Sequence, residues 1–213
     1  MNQLEKTIDR LAADCPPTAP APSPERTVAL WLALSCGVSL LLTFMLELRE
    51  DLAAQITQGL FWAEIATLTA LVASSCVSAV WLSFPDMRQQ RGVVLLPLPI
   101  LAVYMCLLAY RLFVPEATLP PVGEINALDC GICITLFSLI PGLAIFFIMR
   151  RNATAHPRAA GALGLLASAS IGHLALKFAE ANDSVPHLLV WHMLPIIGLG
   201  LIGGWLGQKF LSW

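Results

Sequence analysis

Apolar residues along this chain gather into six long runs, at 27–45, 59–82, 92–114, 130–149, 159–176 and 188–207, with short polar or proline-bearing gaps between them. Each is close to the ~20 residues that cross a hydrocarbon core about 30 Å thick. Only Glu64 and Arg111 are charged within the runs. A bilayer core supplies no water to backbone N–H and C=O groups, so segments this long and this apolar must satisfy them internally as helices. No stretch alternates with the two-residue period of a strand. The pattern predicts an all-α polytopic membrane protein, a six-helix transmembrane bundle.

Lys and Arg then orient it. Lys6, Arg10 and Arg26 precede the first run, Arg88 and Arg91 fill the second gap, Arg150, Arg151 and Arg158 the fourth, and Lys209 follows the last. These nine fall on one side, and only Arg49, Arg111 and Lys177 on the other. The positive-inside rule makes the nine-residue side cytoplasmic, with both termini inside and the connections near Glu50, Glu124 and Asp183 outside. An even number of spans requires the same of the termini. The expected location is a bacterial inner membrane, with the bilayer as one partner. The net charge of −2 hides this sidedness and gives no reason to expect direct nucleic-acid contact. At 213 residues, 57% of them hydrophobic, the chain is spent almost wholly on the bundle, so a site must lie within the membrane or at its rim. The first run follows a proline-rich stretch without a short basic n-region or a cleavage motif, and reads as a retained helix.

The first 26 residues form a unit apart from the bundle at 27–213. Leu4, Ile8, Leu11 and Cys15 fall within about 60° on a helical wheel, with Glu5, Lys6, Asp9 and Arg10 elsewhere. Such a short amphipathic helix is ordered chiefly by what it docks on. The prolines that follow favour polyproline II and hold the stripe up to roughly 30 Å from the bilayer. Leu4, Ile8 and Leu11 are therefore candidate partner-binding residues on a cytoplasmic leader. In the fifth and sixth runs Gly164, Ser168 and Gly172, and Gly200, Gly203, Gly204 and Gly207, suit close backbone approach between helices.

Tracing the helix directions brings Glu64, Arg111, Asp129, Cys130, Cys133, His173, Lys177, His187 and His192 to the outer third of the bundle. Glu64 with Arg111 is a candidate ion pair, more simply a structural clamp than a proton path. Cys36, Cys76 and Cys106 read as small packing residues. Cys130 and Cys133 differ, because they form a C-x-x-C pair on the oxidising side at a helix N-terminus. Disulfide formation and capture of zinc or a heavier metal are both open to them. His173, His187, His192 or Asp129 could complete a four-ligand set.

The leader LEKTIDRLAADCPP, the six helices, the Asp129–Cys130 pair and the late segment NDSVPHLLVWH ending at His192 together resemble the NrsF-type integral-membrane negative regulators of extracytoplasmic-function sigma factors. The resemblance covers essentially the whole chain. It implies a non-enzymatic anti-sigma factor that sequesters a sigma factor through cytoplasmic parts and releases it under metal or oxidative stress through outward cysteines. Cys130 carries over directly. Where relatives place a second cysteine shortly before the late segment, this chain has Glu180, Ala181 and Asn182, so Cys133 is the candidate replacement. Two other functions compete. A thiol–quinone oxidoreductase would use the C-x-x-C but normally relays electrons through a second exposed pair. A small transporter or metal exporter would want ligands at mid-membrane.

Overall fold

The computed structural model describes residues 3–14, 22–46, 48–84, 91–113, 127–152 and 154–212, and every regular element among them is helical. Cys15 with the adjoining prolines, Arg88 and Glu124 lie outside these residues, as does the side chain of Arg91. The leader is helix α1 (Gln3–Asp14), none of whose residues is buried. Leu4, Ile8 and Leu11 are 67%, 56% and 63% exposed.

Six helices are long and apolar enough to cross a membrane. The first, α2 (Pro24–Met45), begins ahead of its apolar run because Ser23 caps it, accepting the Arg26 N–H at 3.3 Å, and Pro24 takes the first turn where no N–H is needed. A short turn, α3 (Leu52–Gln55), leads into α4 (Gly59–Leu82). The third span is divided into α5 (Arg91–Leu95) and α6 (Pro97–Arg111), since Pro97 and Pro99 remove two helix donors. Next come α7 (Ala127–Arg150), α8 (Pro157–Ala179) and a last span built from α9 (Val185–His187), a π-helical turn (Leu188–Met193) and α10 (Leu194–Phe210).

Helix α8 is the centre of the bundle. It packs against α10, α4, α7 and α2, and 72% of its most apolar window is buried, against 22% for α2 and 17% for the third span. The composition explains this place, because Gly, Ala and Ser on several faces let neighbours approach from several sides. Gly161 faces the backbone of Gly203 and Gly207 in α10, Gly164 faces Ile145 and Met149 in α7, and Gly172 abuts the backbone of Ile134. The sixth span therefore uses Gly203 and Gly207 against α8, as its spacing suggests. Gly161, their partner, stands one turn ahead of the spacing picked out from the sequence. Large residues on the outer faces, among them Phe44, Leu143 and Leu201, remain exposed, as suits contact with lipid. Trp31 is the largest fully buried side chain, and its indole N–H donates to the Pro141 carbonyl at 2.9 Å, tying α2 to α7.

Candidate functional site

The start of α4, the end of α6, the start of α7, the end of α8 and the π-helical turn meet at one end of the bundle and carry two adjoining polar clusters. In the first, Glu64 lies fully buried between Arg111, 2.5 Å away, and the Lys177 ammonium, 2.7 Å away. Lys177 also pairs with Asp183. Asp183 accepts from Arg49 at 2.8 Å, and Arg49 reaches Asp51 at 2.6 Å. Arg49 donates further to the carbonyls of Lys177 and Ala181, and its backbone N–H to Phe178. A cation at a helix C-terminus satisfies carbonyls that the helix leaves unpaired and complements its dipole. Three cations and three carboxylates alternate in this network, so a set of charges that is buried except at Asp51 sums to zero and each has a partner.

The network favours the ionised forms of Asp51 and Asp183. The hydrogen bond from Arg49 brings the Asp51 carboxyl down to about 2. Burial pushes Asp183 up, but the Lys177 charge and hydrogen bond outweigh it and leave Asp183 below its ordinary value.

The second cluster holds the histidines. The Cys130 thiol donates to Glu180 Oε2 at 2.9 Å. Glu180 Oε1 is 2.9 Å from His187 Nε2, and Oε2 is 3.3 Å from His192 Nε2. The two Nε2 atoms are 3.2 Å apart. On its other side His192 Nδ1 meets His173 Nδ1 at 2.6 Å, and His173 Nε2 meets the Tyr104 hydroxyl at 2.7 Å. Burial raises the Glu180 carboxyl, yet hydrogen bonds from His187, His192 and Cys130 prevail and hold it below the ordinary range.

Local structure makes this convergence. Residues five apart stand about 140° apart around an α-helix but only about 50° apart in a π-turn with its i→i+5 bonds. The Leu194 N–H bonds back to the Leu189 carbonyl in that pattern. The π-turn from Leu188 to Met193 thus turns His187 and His192 to one side, towards Glu180. α7 lies against this turn at Gly131, whose surroundings include Pro195 and the Trp191 carbonyl at ordinary contact distance. That places Cys130 at the edge of the cluster.

One donor atom each from Cys130, Glu180, His187 and His192 lies within 4.8 Å of all the others. The fourth member is Glu180, which the sequence marks only as the residue standing near an absent cysteine. Cys133 and His173, both candidate ligands by sequence, are not in this group. Cys133 is half-buried and packs beside the core, and His173 stands behind His192. Asp129 is exposed. Both Cys130 and Cys133 are free thiols. Arg49, Asp183 and Tyr104 are further members that the sequence pattern does not single out. A basic residue in an otherwise Lys/Arg-poor connection was the one available signal for Arg49.

These features define an α-helical membrane protein with a charge-balanced polar end and no soluble domain among the described residues. The chain belongs to the family described as negative regulator of sigma F, whose model matches residues 11–213. It is 27% identical to a probable anti-sigma-F factor NrsF of Azospira oryzae and 29% identical to the anti-sigma-F factor NrsF of Caulobacter vibrioides, covering 99% of this chain and 100% of each relative. Those relatives are regulators and not enzymes by name. No solved structure matches the chain.

Proposed function

We propose that this protein is an anti-sigma factor of the bacterial inner membrane, which sequesters an extracytoplasmic-function sigma factor and releases it when metal or oxidative stress acts on its periplasmic face. The observation that carries this reading is similarity over 99% of the chain to two proteins named as anti-sigma-F factors. Both termini are cytoplasmic on this reading, in keeping with the nine-to-three division of Lys and Arg. Residues 1–26 are the docking unit. Leu4, Ile8 and Leu11 form a row of exposed apolar side chains on a helix with no buried residue, as suits an amphipathic helix laid in a partner's groove. Cys130 is the sensing residue, with Cys133 as the neighbouring thiol. Release is a shift between two bundle states, so the signal must favour one of them.

Leu4→Asp with Leu11→Asp tests the docking. The doubly substituted protein should reach the membrane at normal levels, lose the sigma factor on purification in detergent, and leave its target genes on without stress. A double variant that still co-purifies with the sigma factor would move the docking site to the connections around Arg88 and Arg151. An active periplasmic reporter fused at the C-terminus would overturn the topology.

A further inference from the structure

We propose that Cys130, Glu180, His187 and His192 form a binding site for one borderline divalent cation of the Zn²⁺ type, held in four-coordinate geometry with Cys133 outside it. This deepens the sensing role given to Cys130 above by naming the ligand set through which a metal would act, but the binding itself stands on the geometry alone.

Metal–ligand bonds of about 2.0–2.3 Å to His, carboxylate and thiolate require tetrahedron edges of about 3.3–3.8 Å. The distances along Cys130–Glu180, Glu180–His187, Glu180–His192 and His187–His192 are 2.9, 2.9, 3.3 and 3.2 Å. These four edges, which use both Glu180 oxygens, lie at or a few tenths of an ångström below that range, and one donor atom from each residue lies within 4.8 Å of all the others, so a central cation needs only small adjustments of the ligands. The donor set also matches the ion: one thiolate and two imidazoles suit zinc and cobalt, and an all-oxygen set for magnesium or calcium is absent here.

Charge supports the same occupant. The thiolate of Cys130 and the carboxylate of Glu180 offset a dication, so the loaded site is neutral in a buried setting where an uncompensated charge is costly. Binding sends the Cys130 thiol proton to solvent. Glu180, whose side chain is 17% exposed, is the most open of the ligands and gives the route in. Without a cation, His187 Nε2 and His192 Nε2 both point at one carboxylate while facing each other at 3.2 Å. A cation uses both lone pairs at once.

A supporting shell is already built. His192 binding through Nε2 keeps its proton on Nδ1 and donates it to His173 Nδ1, whose Nε2–H in turn reaches the Tyr104 oxygen, through contacts of 2.6 and 2.7 Å. Such partners fix the tautomer and orientation of a ligating histidine. The π-helical turn brings the imidazole of His192 to the same side as that of His187, just ahead of it, a geometry that an α-helix would not provide for residues five apart.

The test uses the full chain purified in detergent, stripped with a chelator and titrated with Co²⁺. One cobalt per chain should bind, with the intense visible bands of four-coordination and a near-ultraviolet thiolate-to-cobalt band. Cys130→Ser should remove the thiolate band, and Cys133→Ser should leave it intact. Glu180→Gln preserves side-chain shape and should weaken Co²⁺ binding at least tenfold, and His173→Phe should weaken it by about ten- to a hundredfold as loss of a supporting partner. X-ray absorption of the Zn²⁺ form should show one sulfur and three lighter ligands. A two-sulfur shell, loss of the band in Cys133→Ser, or cobalt affinity unchanged in Glu180→Gln at an unaltered gel-filtration profile would overturn the site. Sigma release is scored separately. Metal binding without effect on the sigma factor would refute the regulatory reading and leave the site standing, whereas stress-driven release from a chain that binds no cobalt would do the reverse.

Discussion

Replacing Gly161 by alanine should loosen the close contact between α8 and α10. A Cβ at this position would sit 2.3 Å from the Gly203 carbonyl oxygen, 2.7 Å from Gly207 Cα and 3.0 Å from the Gly207 nitrogen. All three are backbone atoms, so no side chain can swing aside. Ordinary contact begins near 3.4 Å, and α8 must part from α10 by about 1 Å, at the upper end of the 1–3 kcal/mol that overpacking costs. Alanine returns about 1 kcal/mol through its better helix propensity. The expected net loss is about 2 kcal/mol. Gly198→Ala in the same α10 is the control, because nothing lies within 4 Å of its Cβ, and it should be neutral or slightly stabilising. Unfolding by SDS in mixed micelles, followed by far-ultraviolet circular dichroism, reads both. Equal midpoints for the two variants would refute the reasoning, since steric exclusion would then not be what sets the α8–α10 distance.

Other expectations follow from the polar end and from α2. Glu64→Gln leaves the buried Lys177 and Arg111 without their shared carboxylate and should cost about 3–5 kcal/mol; adding Lys177→Met should recover part of it, and additive losses in a double-mutant cycle would count against the network. Asp51 titrates at about 2 when folded, against an ordinary 3.8, so its contribution is complete above pH 4 and disappears as pH falls towards 2; Asp51→Asn should flatten that part of the acid-denaturation curve, an effect kept small by the side chain's 40% exposure. Trp31→Phe removes the indole N–H donated to the Pro141 carbonyl and should lower stability by about 0.5–1.5 kcal/mol in the same SDS titration.

The bilayer makes the architecture legible from local pattern. A segment that crosses it must be both apolar and helical, so the runs at 59–82 and 159–176 translate almost directly into α4 and α8 without any knowledge of neighbours. The proline pair 97 and 99 and the stripe of Leu4, Ile8 and Leu11 are likewise local facts, and so is the skewed placement of Lys and Arg. Topology also brought Cys130, His187 and His192 to the same end, because alternation of direction is all that requires.

Which atoms touch was decided elsewhere. Glu180 joins the cluster because α8 ends at Ala179, two residues after Lys177, and the next residue turns its carboxylate towards the last span. Cys133, three residues from Cys130 and chemically identical, is left out because a helix rotates it about 60° away and half-buries it beside the core. The π-turn that aligns His187 with His192 adds one residue per turn over a short stretch, a change in winding that hydrophobic periodicity is too coarse to register. Arg49 looks like a loop residue until α8 offers it unpaired carbonyls. Sequence alone determined the number, character and approximate limits of the helices, since each answers to solvent one residue at a time. The partners of the buried charges depended on rotations and separations of about an ångström between helices, which are set only when all six pack together.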